Sequence, residues 1–245
     1  MTTKEIQVTV DPELGRLKKG AIFRRYLDLP KFVDLIWSSS VYLTRTDLLS
    51  DKLEGALTPS IRRAINDAYS NNLTNYNADE FIRKSRESSY INCWSIGAND
   101  NMALWQLYSS VSTGLAITST KEKLIRTCRN WAAKEHVEIF KVKYINHFNN
   151  PDMIIDSYTN PLRFKHIAYR YEREVRIVIS KIQQIEDDKY RPDGIKLPVE
   201  LDNFIRSVVV APEAGSWFFE LVSDIAMRYG LNVPVRKSKL TYLPK

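Results

Sequence analysis

The chain has 245 residues, 44% of them hydrophobic and 27% charged, and its 36 Lys and Arg against 29 Asp and Glu leave a net charge of +7. That balance excludes a disordered or collagen-like chain, and no apolar run approaches the roughly 20 residues a membrane-crossing helix needs. The N-terminal MTTKEIQVTVDPELG has no apolar leader core, and Cys93 and Cys128 show no C-x-x-C spacing. A cytoplasmic protein without a disulfide scaffold, zinc or other metal is therefore expected.

Glycine is scarce, at 8 residues, and no Gly/Ser linker divides the chain. One α+β domain is expected over residues 21–245, with 1–20 as a peripheral segment. Residues 21–26 (AIFRRY) read as a strand. Pro30 then opens a helix, with Phe32, Leu35 and Ile36 on one face at i, i+3, i+4. Residues 41–45 (VYLTR) alternate as a second strand, and a polar turn covers 50–55. The stretch 59–86 is helical with a break at Asn71-Asn72. A strand at 90–95 (YINCWS) is followed by a helix at 101–109, where Met102, Trp105 and Tyr108 recur at three-residue spacing. A strand at 114–119 and an amphipathic helix at 121–135 lead to a cleanly alternating strand at 137–144 (VEIFKVKY). Loop and helix fill 150–169. Strands at 174–180 (EVRIVIS) and 204–211 (FIRSVVVA), a helix at 217–229 and a strand at 233–240 complete the chain. Strands and helices do not alternate strictly, so the sheet should be mixed and mainly antiparallel, flanked by helices, rather than doubly wound.

The dinucleotide G-x-G-x-x-G, the phosphate-loop G-x-x-x-x-G-K-[ST], G-x-S-x-G and H-E-x-x-H are all missing. His136, His147 and His166 sit in unrelated contexts, so neither a Ser-His-Asp nor a metal mechanism is supported. The most informative run is 169–179, YRYEREVRIVI. A strand period of two puts Val175, Ile177 and Ile179 on one face and Glu172, Glu174 and Arg176 on the other. Two carboxylates then stand at the mouth of a core strand, where they could hold a sugar hydroxyl, stabilise a cation, or simply pair with arginine across the sheet. A second cluster joins Arg24, Arg25 and Tyr26 to Tyr42, Asp51 and Glu54. Arg25 there could fork onto a phosphate or pair with Asp51 or Glu54. In a third, Trp105 and Tyr108 are core residues or a stacking platform. The basic balance suits an acidic partner such as nucleic acid.

These residues carry a resemblance. The chain resembles the bacterial and phage family named domain of unknown function (DUF) 2971. Arg25-Tyr26 looks like the family's basic-aromatic first strand, and Ser50-Asp51-Lys52-Leu53-Glu54 like its N-D-P-x-E turn, with Asn and Pro missing. Asn92-Cys93-Trp94-Ser95 looks like its S-C-F-S strand. Leu104-Trp105-Gln106-Leu107-Tyr108, leading to Gly114, and Lys165 through Tyr169, Tyr171, Glu172, Glu174 and Arg176 look like its two later motifs. A weaker resemblance is to ADP-ribosyltransferases, whose Arg, Tyr and Glu positions would be filled by Arg25, Tyr42 and Glu174, with Glu172-Arg173-Glu174 similar to the E-x-E variant. The resemblance implies an ADP-ribosyltransferase-like fold and an NAD-consuming toxin or phage-defence effector that modifies nucleic acid or protein. Catalysis would fall to Glu174, Tyr42 and Glu172, and NAD binding to Arg25, Tyr26, Trp105 and Tyr108. The alternative is a non-enzymatic module that binds a partner protein or nucleic acid.

Overall fold

The computed structural model describes residues 8–149, 153–182 and 191–241. Residues 1–7 of the expected peripheral segment and 150–152 of the expected loop-and-helix stretch therefore lie outside the described residues. In chain order the first half contains β1 (Thr9–Val10), α1 (Pro12–Gly15), β2 (Ile22–Leu27), α2 (Leu29–Ser38), β3 (Ser40–Arg45), α3 (Pro59–Ser70), α4 (Ala78–Glu87), β4 (Ser89–Ile96), α5 (Met102–Tyr108), β5 (Leu115–Thr120) and α6 (Lys121–Trp131). The second half contains β6 (His136–Lys141), β7 (Lys143–Ile145), β8 (Phe164–His166), β9 (Glu174–Ser180), β10 (Gly194–Pro198), α7 (Leu201–Phe204), β11 (Ser207–Val210), α8 (Ser216–Arg228) and β12 (Val235–Lys237). The class is α+β with mainly antiparallel strand pairing. The residues cluster into two compact units, each assembled from three chain segments.

The first unit comprises the described parts of Met1–Asp11, Leu43–Asn92 and Ala132–Ile195. Its central strand is β9, antiparallel to β6 from His136↔Ser180 to Lys141↔Val175. β1 joins the far side of β6 in parallel, and Thr44 and Arg45 of β3 pair antiparallel with Ile91 and Tyr90 of β4. Six of the seven β9 residues are buried, so both faces are covered. The charged side chains of one face must then be neutralised within the protein. The alternating run at 137–144, expected as one strand, is two. The Val142 N–H donates to the Glu174 carbonyl at 2.9 Å, and β7 then pairs in parallel with β8. α3 runs Pro59–Ser70 and is capped by Asn71, which gives the expected break. α4 restarts on a reciprocal cap in which Asn77 Oδ1 accepts from Glu80 N at 3.0 Å and Glu80 Oε2 from Asn77 N at 3.1 Å. These helices cover an apolar cluster of Leu57, Ala78, Ile145, Met153 and Phe164.

The second unit comprises Pro12–Tyr42, Cys93–Trp131 and the described part of Lys196–Lys245. β2 lies between β4 (Arg24↔Ser95) and β5 (Arg24↔Thr118), antiparallel to both. β11 follows, antiparallel to β5, and β12 closes the order in parallel with β11. α2 forms as the sequence requires. Asp28 caps the Lys31 N–H at 2.8 Å, Pro30 sits in the first turn, and Phe32, Leu35 and Ile36 are buried. α5 packs its Leu104 and Trp105 against Tyr26, Ala116, Val209 and Ala211. The expected strand at 204–211 is shorter than its apolar run, because Leu201–Phe204 winds into α7.

Candidate active site

In the first unit the start of β9 carries a buried charge network. Arg176 is fully buried. Its Nε donates to Glu174 Oε1 at 2.9 Å, its Nη2 to Glu54 Oε2 at 2.7 Å and to Glu174 Oε2 at 3.2 Å, and its Nη1 to the Leu162 carbonyl at 2.8 Å. Nη1 also donates to Glu54 Oε1, which makes the grip on Glu54 two-pronged. Lys165 Nζ spans the other side, donating to Glu172 Oε2 at 2.5 Å and Glu174 Oε2 at 3.1 Å. Burial alone would lower the Lys165 ammonium, but the Glu174 and Glu172 carboxylates outweigh it and hold its pKa above the ordinary lysine value. Tyr144 completes the setting. Its hydroxyl accepts from the Glu174 N–H at 2.8 Å, and burial, reinforced by Glu174 and Glu172, raises its pKa.

Local sequence explains the assembly. Residues Ile167–Glu172 form a 3-10 helix, and Arg173 ends it in a left-handed conformation at φ 48°. Glu172 therefore does not share a strand face with Glu174 and Arg176, as simple alternation predicts. The turn at Arg173, not the pleat, brings both carboxylates onto Lys165. Glu54 arrives on a turn in which Asp51 Oδ1 accepts from the Leu53 N–H at 2.9 Å. Gly55 follows at φ +69°, where a Cβ would stand 3.3 Å from Leu162. Glu54, one of the two carboxylates the sequence offered to Arg25 as an alternative to phosphate, is bound by Arg176. Among the described residues, no group of three or more His, Cys, Asp and Glu side chains is placed to hold a metal ion.

Glu54, Glu172, Glu174, Lys165 and Arg176 are all buried and joined by ion pairs. Desolvating such groups costs several kcal/mol per ion, so packing alone does not account for the set. The network holds the Glu174 carboxylate between Arg176 and Lys165.

The remaining candidates lie in the second unit. Tyr26 and Trp105 come together edge to face, with ring centroids 4.9 Å apart. The Tyr26 hydroxyl accepts from the Asn101 N–H at 2.9 Å, and Trp105 Nε1 donates to Asp100 Oδ2 at 3.4 Å. Trp105 is fully buried and belongs to the core, whereas Tyr108 and Tyr42 are exposed. Arg25 Nη1 donates to the Cys93 carbonyl at 3.0 Å. Arg24 projects to the other face of β2, buried, toward Asp100. Sequence reasoning passed over Arg24 in favour of its neighbour, although the pleat alone separates the two.

Trp105, Tyr108, Lys165, Glu172, Glu174 and Arg176 all fall within one stretch that compares with a known family. Residues 104–177 match the family described as protein of unknown function (DUF2971). The DUF2971 match thus takes in most of the network at β9 and leaves out Arg24, Arg25, Tyr42 and Glu54. No curated protein matches the chain. Among solved structures, DarT of Thermus sp. 2.9 in complex with carba-NAD+ is 8% identical, with a TM-score of 0.43 over 93% of this chain and 100% of that one. The DarT complex with ADP-ribosylated single-stranded DNA is 9% identical, with a TM-score of 0.42 over 91% and 97%. The complex with NAD+ is 8% identical, with a TM-score of 0.39 over 92% and 99%.

Proposed function

We propose that the chain is an NAD-consuming enzyme of ADP-ribosyltransferase type, with Glu174 as its catalytic carboxylate and nucleic acid as its acceptor. The observation that supports this reading is a carboxylate, Glu174, held at the start of β9 by Arg176 and Lys165. Breaking the nicotinamide–ribose bond sends its electron pair out with neutral nicotinamide and leaves an oxocarbenium-like cation on the ribose. A carboxylate held in place before the reaction stabilises that cation without reorganising. Arg176 and Lys165 hold Glu174 in one orientation. Glu172, on the same lysine, orients the acceptor, whose oxygen or nitrogen then bonds the ribose carbon and loses a proton. The net charge of +7 suits a polyanionic acceptor.

One observation favours a second reading. Glu174 is only 4% exposed, as a purely structural ion pair would be. A single experiment separates the two. Nicotinamide release from NAD should fall about 10²-fold or more in Glu174→Gln, the scale of losing one preorganised electrostatic partner, while the melting temperature holds. A Glu174→Gln protein that melts early but turns over normally when folded would establish the structural reading. Absence of nicotinamide release by the unaltered protein with every nucleic-acid and protein acceptor tried would sink the enzyme.

A further inference from the structure

The second unit holds a cavity of about 170 Å³ on the Arg24 face of β2. Five cations line it, Arg24, Arg206, Arg236, Lys237 and Lys239, with Asp100 as the one carboxylate. Arg24 is the decisive member. It is 5% exposed, yet its Nε and Nη1 have no hydrogen-bond partner. Nη2 reaches the Ala98 carbonyl at 3.3 Å, and Asp100 Oδ1 stands 3.8 Å from Nη1, beyond hydrogen-bonding reach. Asp100 spends its other oxygen on Trp105 Nε1 and the Ser238 hydroxyl. A buried guanidinium with two unused donors costs more than the bonds it makes return. Among the described residues, Arg206, Arg236, Lys237 and Lys239 have no carboxylate within 4 Å.

We propose that this cavity is a phosphate-binding site in which Arg24 forks two N–H groups onto one phosphoryl group while the rim cations of β12 and its neighbours hold the adjoining charge. Guanidinium and phosphate match in plane and spacing. The volume is below that of pockets which enclose a whole drug-sized ligand, about 300 Å³ and upward. The site therefore takes a phosphate or pyrophosphate and leaves the rest of the molecule outside. That chemistry comes from two sources, the backbone of a nucleic acid and the pyrophosphate of a free dinucleotide. Binding here needs no turnover, so the site stands or falls independently of Glu174.

The test uses the full chain and three probes: inorganic pyrophosphate, ADP-ribose and a labelled single-stranded oligonucleotide. Each is titrated against the unaltered protein, Arg24→Lys, and the doubly changed Arg236→Glu/Lys239→Glu. The double variant alters exposed residues and leaves the core intact. Pyrophosphate should raise the melting temperature of the unaltered protein and not that of the double variant. Arg24→Lys should weaken binding about tenfold, since a lysine cannot fork. Oligonucleotide affinity that falls about tenfold in both pocket variants, with pyrophosphate competing, assigns the site to a nucleic-acid backbone. ADP-ribose binding lost in both variants, with oligonucleotide binding unchanged, assigns it to a nucleotide. Equal affinity of all three proteins for every probe, or no binding at low salt, overturns the proposal.

Discussion

Arg173 is a non-glycine residue in the left-handed region, φ 48°, and its position between Glu172 and Glu174 gives that strain a purpose. Such a conformation costs about 1–2 kcal/mol, which is offset here by two ion pairs onto Lys165. Arg173→Gly should leave stability within about 1 kcal/mol of the original, because glycine adopts this backbone freely. Arg173→Val should unfold more readily by about 1–2 kcal/mol, since a branched Cβ opposes it; urea denaturation of the pair checks this. Arg176→Met leaves Glu54 and Glu174 buried beside each other without their shared cation, and the loss should reach about 3–5 kcal/mol. His147 provides a pH handle. Burial pushes its pKa below the ordinary value, His166 adds to the drop and Asp51 opposes it, while both ring nitrogens lack partners. The unfolded imidazole takes its proton near pH 6.5 and the folded one does so lower. Between those values the unfolded state binds more protons, and stability falls as the pH falls. His147→Phe should flatten the stability curve between about pH 7 and pH 5 relative to the unaltered chain.

Helices were more legible than strands, for a local reason. α2 could be read from Pro30 and the i, i+3, i+4 spacing of Phe32, Leu35 and Ile36, because its cap and its buried face lie within ten residues. α4 likewise has its cap close by, at Asn77, and that cap should carry weight: Asn77→Ala is expected to cost about 1 kcal/mol, measurable as a lower melting temperature without change at β9. The strands depend on distant partners. The alternation at 137–144 continues through Val142, yet pairing with β9 stops at Lys141 and β7 turns to β8 instead. β8 and β10 are short and carry no turn-bounded apolar run, so nothing local announced them. Of the site, Glu172, Glu174 and Arg176 could be read as a cluster from their spacing alone. Their true geometry could not, because it rests on a 3-10 turn and on Glu54, 122 residues away from Arg176 in the chain.

At the scale of the molecule, the two units interleave along the chain, each drawing on three segments, and β4 passes from one to the other between Asn92 and Cys93. No single cut leaves both units whole. A fragment ending at Trp131 lacks β6, β9, β11 and β12, and it should be insoluble or unfolded by circular dichroism. The charge of +7 is a property of the same scale. If phosphate contacts dominate nucleic-acid binding, the logarithm of the affinity should fall linearly with the logarithm of salt concentration, by about 0.7 per contact for a single strand. The pocket variants at Arg236 and Lys239 should reduce that slope.

The placement of the two thiols has a practical corollary. Cys93 is half-buried in β4, whereas Cys128 is sealed inside α6 with its pKa raised by burial. Alkylation needs both a thiolate and access, so the folded chain should consume one equivalent of a maleimide quickly and the second only as α6 comes away. Counting alkylated thiols over time would thus time the opening of that helix, with no label engineered in and no knowledge of substrate required.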